Sequence, residues 1–467
     1  MSHALHPSVL REYDIRGIVG ETLGVEDARA IGRSFATLVR RAGGTRVAVG
    51  YDGRISSPAL KQALVEGLTA SGVDVVEIGL GPSPMLYYAE ASAADLHGGV
   101  QVTGSHNPKE HNGFKLVLGG QPFFGADIVE LGRVAAAGEW LKDPGVCQGR
   151  VERRAILPAY VRRLLEALDG LDSGALAGMR IGWDAGNGSA GPAVEALTAL
   201  LPGEHHLLYT DVDGHFPHHH PDPTEERNLA DLKALVAAKR LHFGVAFDGD
   251  GDRIGVVDGF GRVVWGDQLL MIYAEDLLRA LPGATIIADV KCSNTLFDRI
   301  ATLGGRPLMW KTGHSVLKSK MNELAAPLAG EMSGHMFFGH GWYGFDDALF
   351  AAVQLIAASV RLGRSVTDLR SEVPELASTP ELRFAVEEDR KFAVVDEVRE
   401  RLEAGGALVD TTDGVRVTTD DGWWLLRASN TQAMLTARAE GRDPAGLERL
   451  LGAIDDELAL SGVRRAV

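Results

Sequence analysis

The sequence predicts an α/β protein with mixed or parallel sheets, closed by a smaller α+β domain. Up to about residue 370, short apolar, β-branched runs end in glycine-rich polar loops, usually followed by a helix-like stretch. Beyond Pro374 and Pro380 the texture changes to several strands in succession flanked by helices. The 467 residues include 57 glycines, well above the usual ~7%. They follow no collagen period, so many loops need backbone angles that glycine adopts freely. At ~150 residues per domain, the length suggests about three domains, or four smaller ones.

The elements follow in order. Residues 47–49 run into the loop 50–54, and Ser57-Pro58 offers an N-cap and a first-turn proline for a helix over 59–68. Residues 99–102 run into 103–108, 180–183 into 184–188, 244–247 into 248–253 and 285–288 into 289–294. In such sheets ligands bind beyond the carboxyl ends of the strands, where these loops sit. Asp346 and Asp347 put acid at the start of a helix over 348–360, where the helix dipole favours it. The charged stretch 150–156 carries no strand–loop unit and reads as a linker, as does 373–380. Then 381–387 reads as a strand, 389–402 as a helix, 407–439 as several strands and 445–460 as a closing helix.

Charge and composition exclude several functions. Lys and Arg number 47 against 63 Asp and Glu, a net charge of −16. With no basic tract, the chain lacks the positive footprint of a nucleic-acid binder. Cys147 and Cys292 cannot build a disulfide framework. The best apolar stretch, 348–360, is interrupted by Gln354 and Ser359 and falls short of the ~18–20 residues that span a bilayer. Residues 1–13 have no signal-peptide apolar core. The expectation is a cytoplasmic protein with neither nucleic acid nor membrane as partner.

Five loops carry chemistry. Asp248, Asp250 and Asp252 alternate with glycine, so a curled loop converges three carboxylates on one hard cation. An EF-hand fails on spacing, since Arg253 and Gly259 stand where glycine and glutamate are required. Asp252 also stands where an aspartyl phosphatase pattern has threonine. Ser105, between Gly104 and His106 just after a strand, reads as a nucleophilic or phosphorylated serine or as an ordinary Ser/Asn turn. Arg427, Ser429, Asn430 and Thr431 combine a guanidinium fork, two hydroxyls and an amide suited to a phosphate. Glu331, Ser333 and His335 lie on a glycine-flanked turn suited to sugar hydroxyls, and Lys311 to His314 add a cation and a titratable ring. His215 and His218 to His220 have no regular metal-ligand spacing and read as a structural loop or a loop pocket.

In this order the loops resemble the α-D-phosphohexomutase superfamily, most closely its bacterial phosphomannomutase/phosphoglucomutase branch. The resemblance covers nearly the whole chain. It runs from Glu12-Tyr13-Asp14-Ile15-Arg16-Gly17 through T-G-S-H-N-P, N-G-F-K at 112–115, D-G-D-G-D-R, K-T-G-H and G-E-M-S-G-H to Trp342-Tyr343-Gly344-Phe345-Asp346-Asp347 and R-A-S-N-T. It implies three similar mixed-sheet α/β domains and a smaller C-terminal α+β domain around a central cleft. These would be 1–150 with a phosphoserine loop, 151–262 with a metal loop, 263–374 with a sugar loop and 375–467 with a phosphate loop.

By resemblance, Ser105 is the phosphoserine and, with Asp248, Asp250 and Asp252, holds Mg²⁺. Arg16, Lys115, Arg253 and His314 match catalytic positions, with Lys115 and His314 the candidate proton carriers. Tyr13, Lys291, Glu331, Ser333, His335, Arg427, Ser429, Asn430 and Thr431 match substrate-binding positions. The implied reaction interconverts hexose 1- and 6-phosphates of mannose and glucose through a hexose 1,6-bisphosphate. Small sugar phosphates are the partners, and the chain works as a monomer or weak homo-oligomer. Phosphoglucosamine mutase, a metal-dependent sugar phosphatase and a calcium- or sugar-phosphate-binding protein are the alternatives. A second phosphate cage at Arg427 is needed by neither a phosphatase nor a calcium module. Gly339-His340-Gly341 and Thr224-Glu225-Glu226 depart from the branch and bear on substrate preference more than on the reaction.

Overall fold

The computed structural model describes residues 2–141, 148–429 and 433–465. Four sheets follow one another along the chain. In the first, the order is Ile15–Ile18, His111–Leu118, Gly98–Val102, Arg46–Tyr51, Asp74–Leu80 and Val151–Arg153, with Gln121–Pro122 paired to His111–Leu118. The second orders Val263–Val264, Ile254–Asp258, Phe243–Phe247, Arg180–Asp184 and Glu204–Leu208. The third orders Arg306–Trp310, Thr285–Asp289, Leu328–Gly330 and Met336–Phe338. The fourth is antiparallel, built on Met434–Gly441, Gly422–Ala428 and Val415–Thr419, with Lys391–Ala404 and Pro444–Leu460 packed on it.

The first three sheets share one feature that places the site. Each contains a strand that pairs in parallel on one side and antiparallel on the other: Gly98–Val102, Phe243–Phe247 and Leu328–Gly330. The loop leaving that strand is the connection of an antiparallel pair. It carries Ser105 in the first sheet, the three aspartates in the second, and Glu331 with His335 in the third. After 103–108 and 248–253 the chain therefore turns back into a strand, not into the helix-like stretch that usually follows such loops. Phe243–Phe247 is buried throughout, as expected for a strand covered on both faces.

Local signals hold with two adjustments. The helix Ser57–Ala70 starts earlier than expected, with Ser56 at its N-cap position but making no side-chain cap, and the buried Ser57 hydroxyl bonds Asp52. Both expected linkers contribute a short strand, 150–156 the exposed edge strand Val151–Arg153 of the first sheet and 373–380 the strand Ala377–Ser378 of the fourth. Asp347 caps Ala348–Leu362 by accepting the Phe350 N–H at 2.9 Å.

One apolar core runs through the second and third sheets and the face of the first that carries Val76 and Ile78, where Met85 and Leu86 of the helix Ser83–Ser92 pack. The other face of the first sheet packs around Phe35 and Phe114. An aromatic cluster locks these units together, with Tyr88 lying 5.6 Å from Tyr160 and stacking on Trp342 at 6.2 Å.

Candidate active site

The three strand-reversing loops meet. The Ser105 hydroxyl donates to Asp248 Oδ2 at 2.7 Å and lies 3.2 Å from His106 Nδ1. Ser105 has φ +49, a left-handed conformation uncommon for a residue with a side chain. Its own N–H donates to Thr103 Oγ1 at 2.9 Å. Gly249 makes the approach possible, because a Cβ there would run into the Ser105 carbonyl oxygen.

Asp248, Asp250 and Asp252 are fully buried, and their oxygens are close enough to share one ion. Asp248 Oδ1 accepts the backbone N–H groups of Asp252 at 3.1 Å and Arg253 at 3.2 Å. Lys115 donates to Asp250 at 2.7 Å and also to Asp252. Asp250 Oδ1 is buried with no hydrogen-bond partner among the described residues. Burial, then repulsion from Asp252 and Asp250, pushes the Asp248 carboxyl well above its usual range. Burial acts the same way on Asp252, but Lys115 and His335 outweigh it and hold that group well below. Such a donor set fits a hard divalent cation with oxygen ligands.

The loop from Glu331 to His335 is joined to the aspartate loop through backbone and side chain. Ile254 N–H donates to the Gly334 carbonyl at 3.1 Å. His335 Nδ1 lies 2.8 Å from Glu331 Oε2 and its Nε2 lies 3.3 Å from Asp252 Oδ1. Burial lowers this imidazole's pKa, but Asp252 and Glu331 raise it to about 9. Ser333 Oγ sits 3.3 Å from Glu331 and 3.1 Å from His335.

His314 begins the helix His314–Leu324. Burial, with Lys318 and His335 nearby, holds its ring well below the usual histidine range, so it is neutral. Its ring lies 5.5 Å from that of His335 and 6.0 Å from that of Tyr13. The Tyr13 hydroxyl donates to the Thr312 carbonyl at 2.8 Å, and Gly313 N–H donates to Glu331 Oε1 at 2.6 Å. Gly313 has φ +133, and a Cβ there would strike the Tyr13 ring.

The remaining expected residues surround these. Arg16 donates to Asp14 at 2.8 Å and to the Thr103 carbonyl at 2.7 Å. Burial lowers the Arg253 pKa, but Asp222, Asp248 and Asp252 raise it above its ordinary value. Lys291 Nζ lies 3.6 Å from Glu381. Arg427, next to last in the strand Gly422–Ala428, donates through Nε to Asp413 Oδ2 at 3.1 Å. Ser429 is buried, whereas Asn430 and Thr431 lie outside the described residues.

Sequence reasoning passed over several participants. Asp413 holds both Arg427 and the Thr312 N–H. Asp222 supplies negative charge to His106 and Arg253. Ser83 donates to Asp250 from another part of the first unit. Only the Pro-Asp-Pro punctuation at 221–223 hinted at one of these. The histidine loop is structural in form: His219 Nε2 pairs with buried Asp184 at 3.0 Å, and His218 stacks on Tyr209 at 3.8 Å. No helix among the described residues is long and apolar enough to cross a membrane.

Comparison with known proteins agrees along the whole chain. Residues 8–138, 158–261 and 265–376 match the phosphoglucomutase/phosphomannomutase alpha/beta/alpha domains I, II and III, and 381–457 match the C-terminal domain. The chain is 43% identical over 446 residues to a phosphomannomutase/phosphoglucomutase of Pseudomonas aeruginosa, covering 96% of this chain and 94% of that one. It is 40% identical over 447 residues to a phosphoglucomutase of Neisseria gonorrhoeae, covering 95% of each. A crystal structure of a phosphoglucomutase/phosphomannomutase family protein from Burkholderia thailandensis superposes with a TM-score of 0.90 at 40% identity, over 98% of both chains. Four matched domains in sequence, a relative aligned nearly end to end and a serine set against three buried aspartates place this chain in the phosphoglucomutase/phosphomannomutase family.

Proposed function

We infer that the chain is a hexose phosphate mutase, an isomerase that moves a phosphoryl group between O1 and O6 of glucose and of mannose, with Ser105 as the phosphoryl carrier. The observation that carries this reading is the 2.7 Å hydrogen bond from Ser105 Oγ to Asp248, inside a buried set of three carboxylates. In the first half-reaction the substrate hydroxyl attacks phosphorus, the serine Oγ–P bond breaks, and a hexose 1,6-bisphosphate forms. After this intermediate turns over, Ser105 Oγ takes the other phosphoryl group and the second O–P bond breaks.

This chemistry asks the protein mainly for positioning and charge neutralisation. Asp248, Asp250, Asp252 and Ser105 would hold Mg²⁺. When bound, that ion offsets negative charge on the transferring group. Arg16, Lys115 and Arg253 add positive charge around the same point. His314, with Lys115 one of the two candidate proton carriers, would accept the hydroxyl proton. Glu331, Ser333 and His335 read sugar hydroxyls, while Tyr13, Lys291, Arg427, Ser429, Asn430 and Thr431 serve the distal phosphate. The same reading carries the domain limits 1–150, 151–262, 263–374 and 375–467, a cytoplasmic location, and a monomer or weak homo-oligomer.

The test is ³¹P NMR of the protein with Mg²⁺, a trace of hexose 1,6-bisphosphate, and glucose 1-phosphate or mannose 1-phosphate. The 6-phosphate resonance is expected from both sugars, and not from Ser105→Ala. Inorganic phosphate alone points to a phosphatase. Turnover confined to glucosamine phosphate moves the substrate assignment.

A further inference from the structure

The turn that presents Ser105 is held from beneath by one arginine. Arg54 is 2% exposed. Its Nη1 donates to the carbonyls of Pro108 at 2.6 Å and His111 at 2.9 Å, and its Nη2 to those of Ser105 at 2.8 Å and Asn107 at 2.5 Å. Asp52 closes the other side. Its Oδ2 accepts the Gly104 N–H at 2.9 Å, and its Oδ1 accepts the Arg54 N–H at 3.0 Å and the Ser57 hydroxyl. Ser57 is fixed in turn by Asn112, whose amide donates to it at 2.9 Å.

Four carbonyl dipoles converging on one point repel each other unless a cation fills the centre. A guanidinium does so with planar, forked donors, whereas an ammonium offers only a point charge. The packing leaves no slack, because a Cβ on Gly104 would strike the guanidinium. Phe216, from the unit that carries the aspartate loop, lies 5.5 Å from the same guanidinium. A side-chain-bearing residue keeps a left-handed φ only where its surroundings over-determine it, and around Ser105 these contacts are those surroundings.

We propose that Arg54, braced by Asp52, is the positioning residue that fixes Ser105 for phosphoryl transfer, holding its left-handed turn so that Oγ meets Asp248. The proposal rests on Ser105 being the phosphoryl carrier. Arg54 touches the backbone of the turn and no reacting atom, so its loss is a loss of aim.

The test measures glucose 1-phosphate turnover by Arg54→Lys and Arg54→Ala with Mg²⁺ and hexose 1,6-bisphosphate. The expected kcat loss is about 100-fold, the effect of a misplacement near ~1 Å, with KM little changed. Millimolar guanidinium restores part of the Arg54→Ala rate and leaves wild type and Ser105→Ala unaffected. Wild-type kcat in Arg54→Lys, a loss confined to KM, or no guanidinium rescue overturns the proposal. If neither variant folds, Gly104→Ala carries the test, since its Cβ presses on the guanidinium without removing charge. The same kcat loss is expected, and full activity overturns the proposal. Peptide mass spectrometry of wild type after bisphosphate treatment separates the two levels. No phosphate on Ser105 defeats the carrier reading itself, whereas phosphorylated Ser105 with fully active Arg54 variants defeats only the positioning role.

Discussion

Asp413 accepts the backbone N–H of Thr312 at 3.0 Å, so the turn that orients Arg427 is fastened to the turn that leads into His314. The same carboxylate oxygen accepts the Arg427 Nε–H. Removing it leaves a nearly buried guanidinium without its orienting partner. Hydrogen bonds to charged groups contribute ~1.5–3 kcal/mol, so Asp413→Ala is expected to raise KM for glucose 1-phosphate about 10-fold or more, with kcat less affected. Initial-rate kinetics check this, and an unchanged KM counts against an orienting role.

Much of the site was legible because its chemistry is local in sequence. The Asp248 to Arg253 loop offers its three carboxylates within six residues, and the Ser105 turn offers its serine just after a strand, although the turn alone also reads as an ordinary Ser/Asn turn. The strands that deliver them were legible from their β-branched runs. Whether the chain then enters a helix or reverses into an antiparallel strand is decided by pairing across the sheet, which a glycine-rich loop does not encode. Residues acting across long separations were equally hidden. Asp413 meets a partner 101 positions away and Ser83 one 167 positions away. Arg54 looked like any loop arginine until the fold brought four carbonyls to it.

Gly249 is a sharp steric test of the Ser105–Asp248 contact. A Cβ at this position overlaps the Ser105 carbonyl oxygen, a backbone atom that cannot swing aside. Gly249→Ala is therefore expected to separate the two loops and to lower kcat about 100-fold, as misplaced reacting groups do. Thermal unfolding alongside kinetics distinguishes misalignment from collapse. A folded variant with wild-type kcat shows that the close approach is dispensable.

Asp347 gives a pH dependence with a definite sign. Burial raises its pKa from the ordinary 3.8 to about 8, against the Phe350 N–H and the Tyr160 hydroxyl that favour its charge, with Asp346 adding repulsion. Tyr160, itself pushed well above the usual tyrosine range by burial, stays protonated and donates to both oxygens at 2.9 Å. Between these two values the unfolded carboxyl is ionised while the folded one keeps its proton. The folded state thus binds more protons, and stability falls as pH rises from about 4 to 8. The slope from this group is at most ~1.4 kcal/mol per pH unit. Asp347→Asn stays neutral and still caps the helix. Urea unfolding at pH 5 and pH 8 should show a larger loss in wild type than in Asp347→Asn, and equal losses in both reject the assignment.

The three buried aspartates predict that a divalent cation stabilises the fold as well as the reaction. Lys115 meets Asp250 and Asp252, and Ser105 meets Asp248, yet Asp250 Oδ1 stays without a hydrogen-bond partner among the described residues. Like charges buried this close disfavour their own ionisation, as the raised Asp248 carboxyl shows. An ion that binds only the folded state adds ~2.7 kcal/mol of stability at 100 times its Kd. Mg²⁺ should therefore move the urea midpoint upward, and EDTA should reverse this while abolishing mutase turnover. Asp250→Asn should lose the midpoint shift, because it removes a ligand charge without changing the side chain's shape. If wild type unfolds at one midpoint with and without Mg²⁺, or Asp250→Asn keeps the full shift, the metal is held elsewhere.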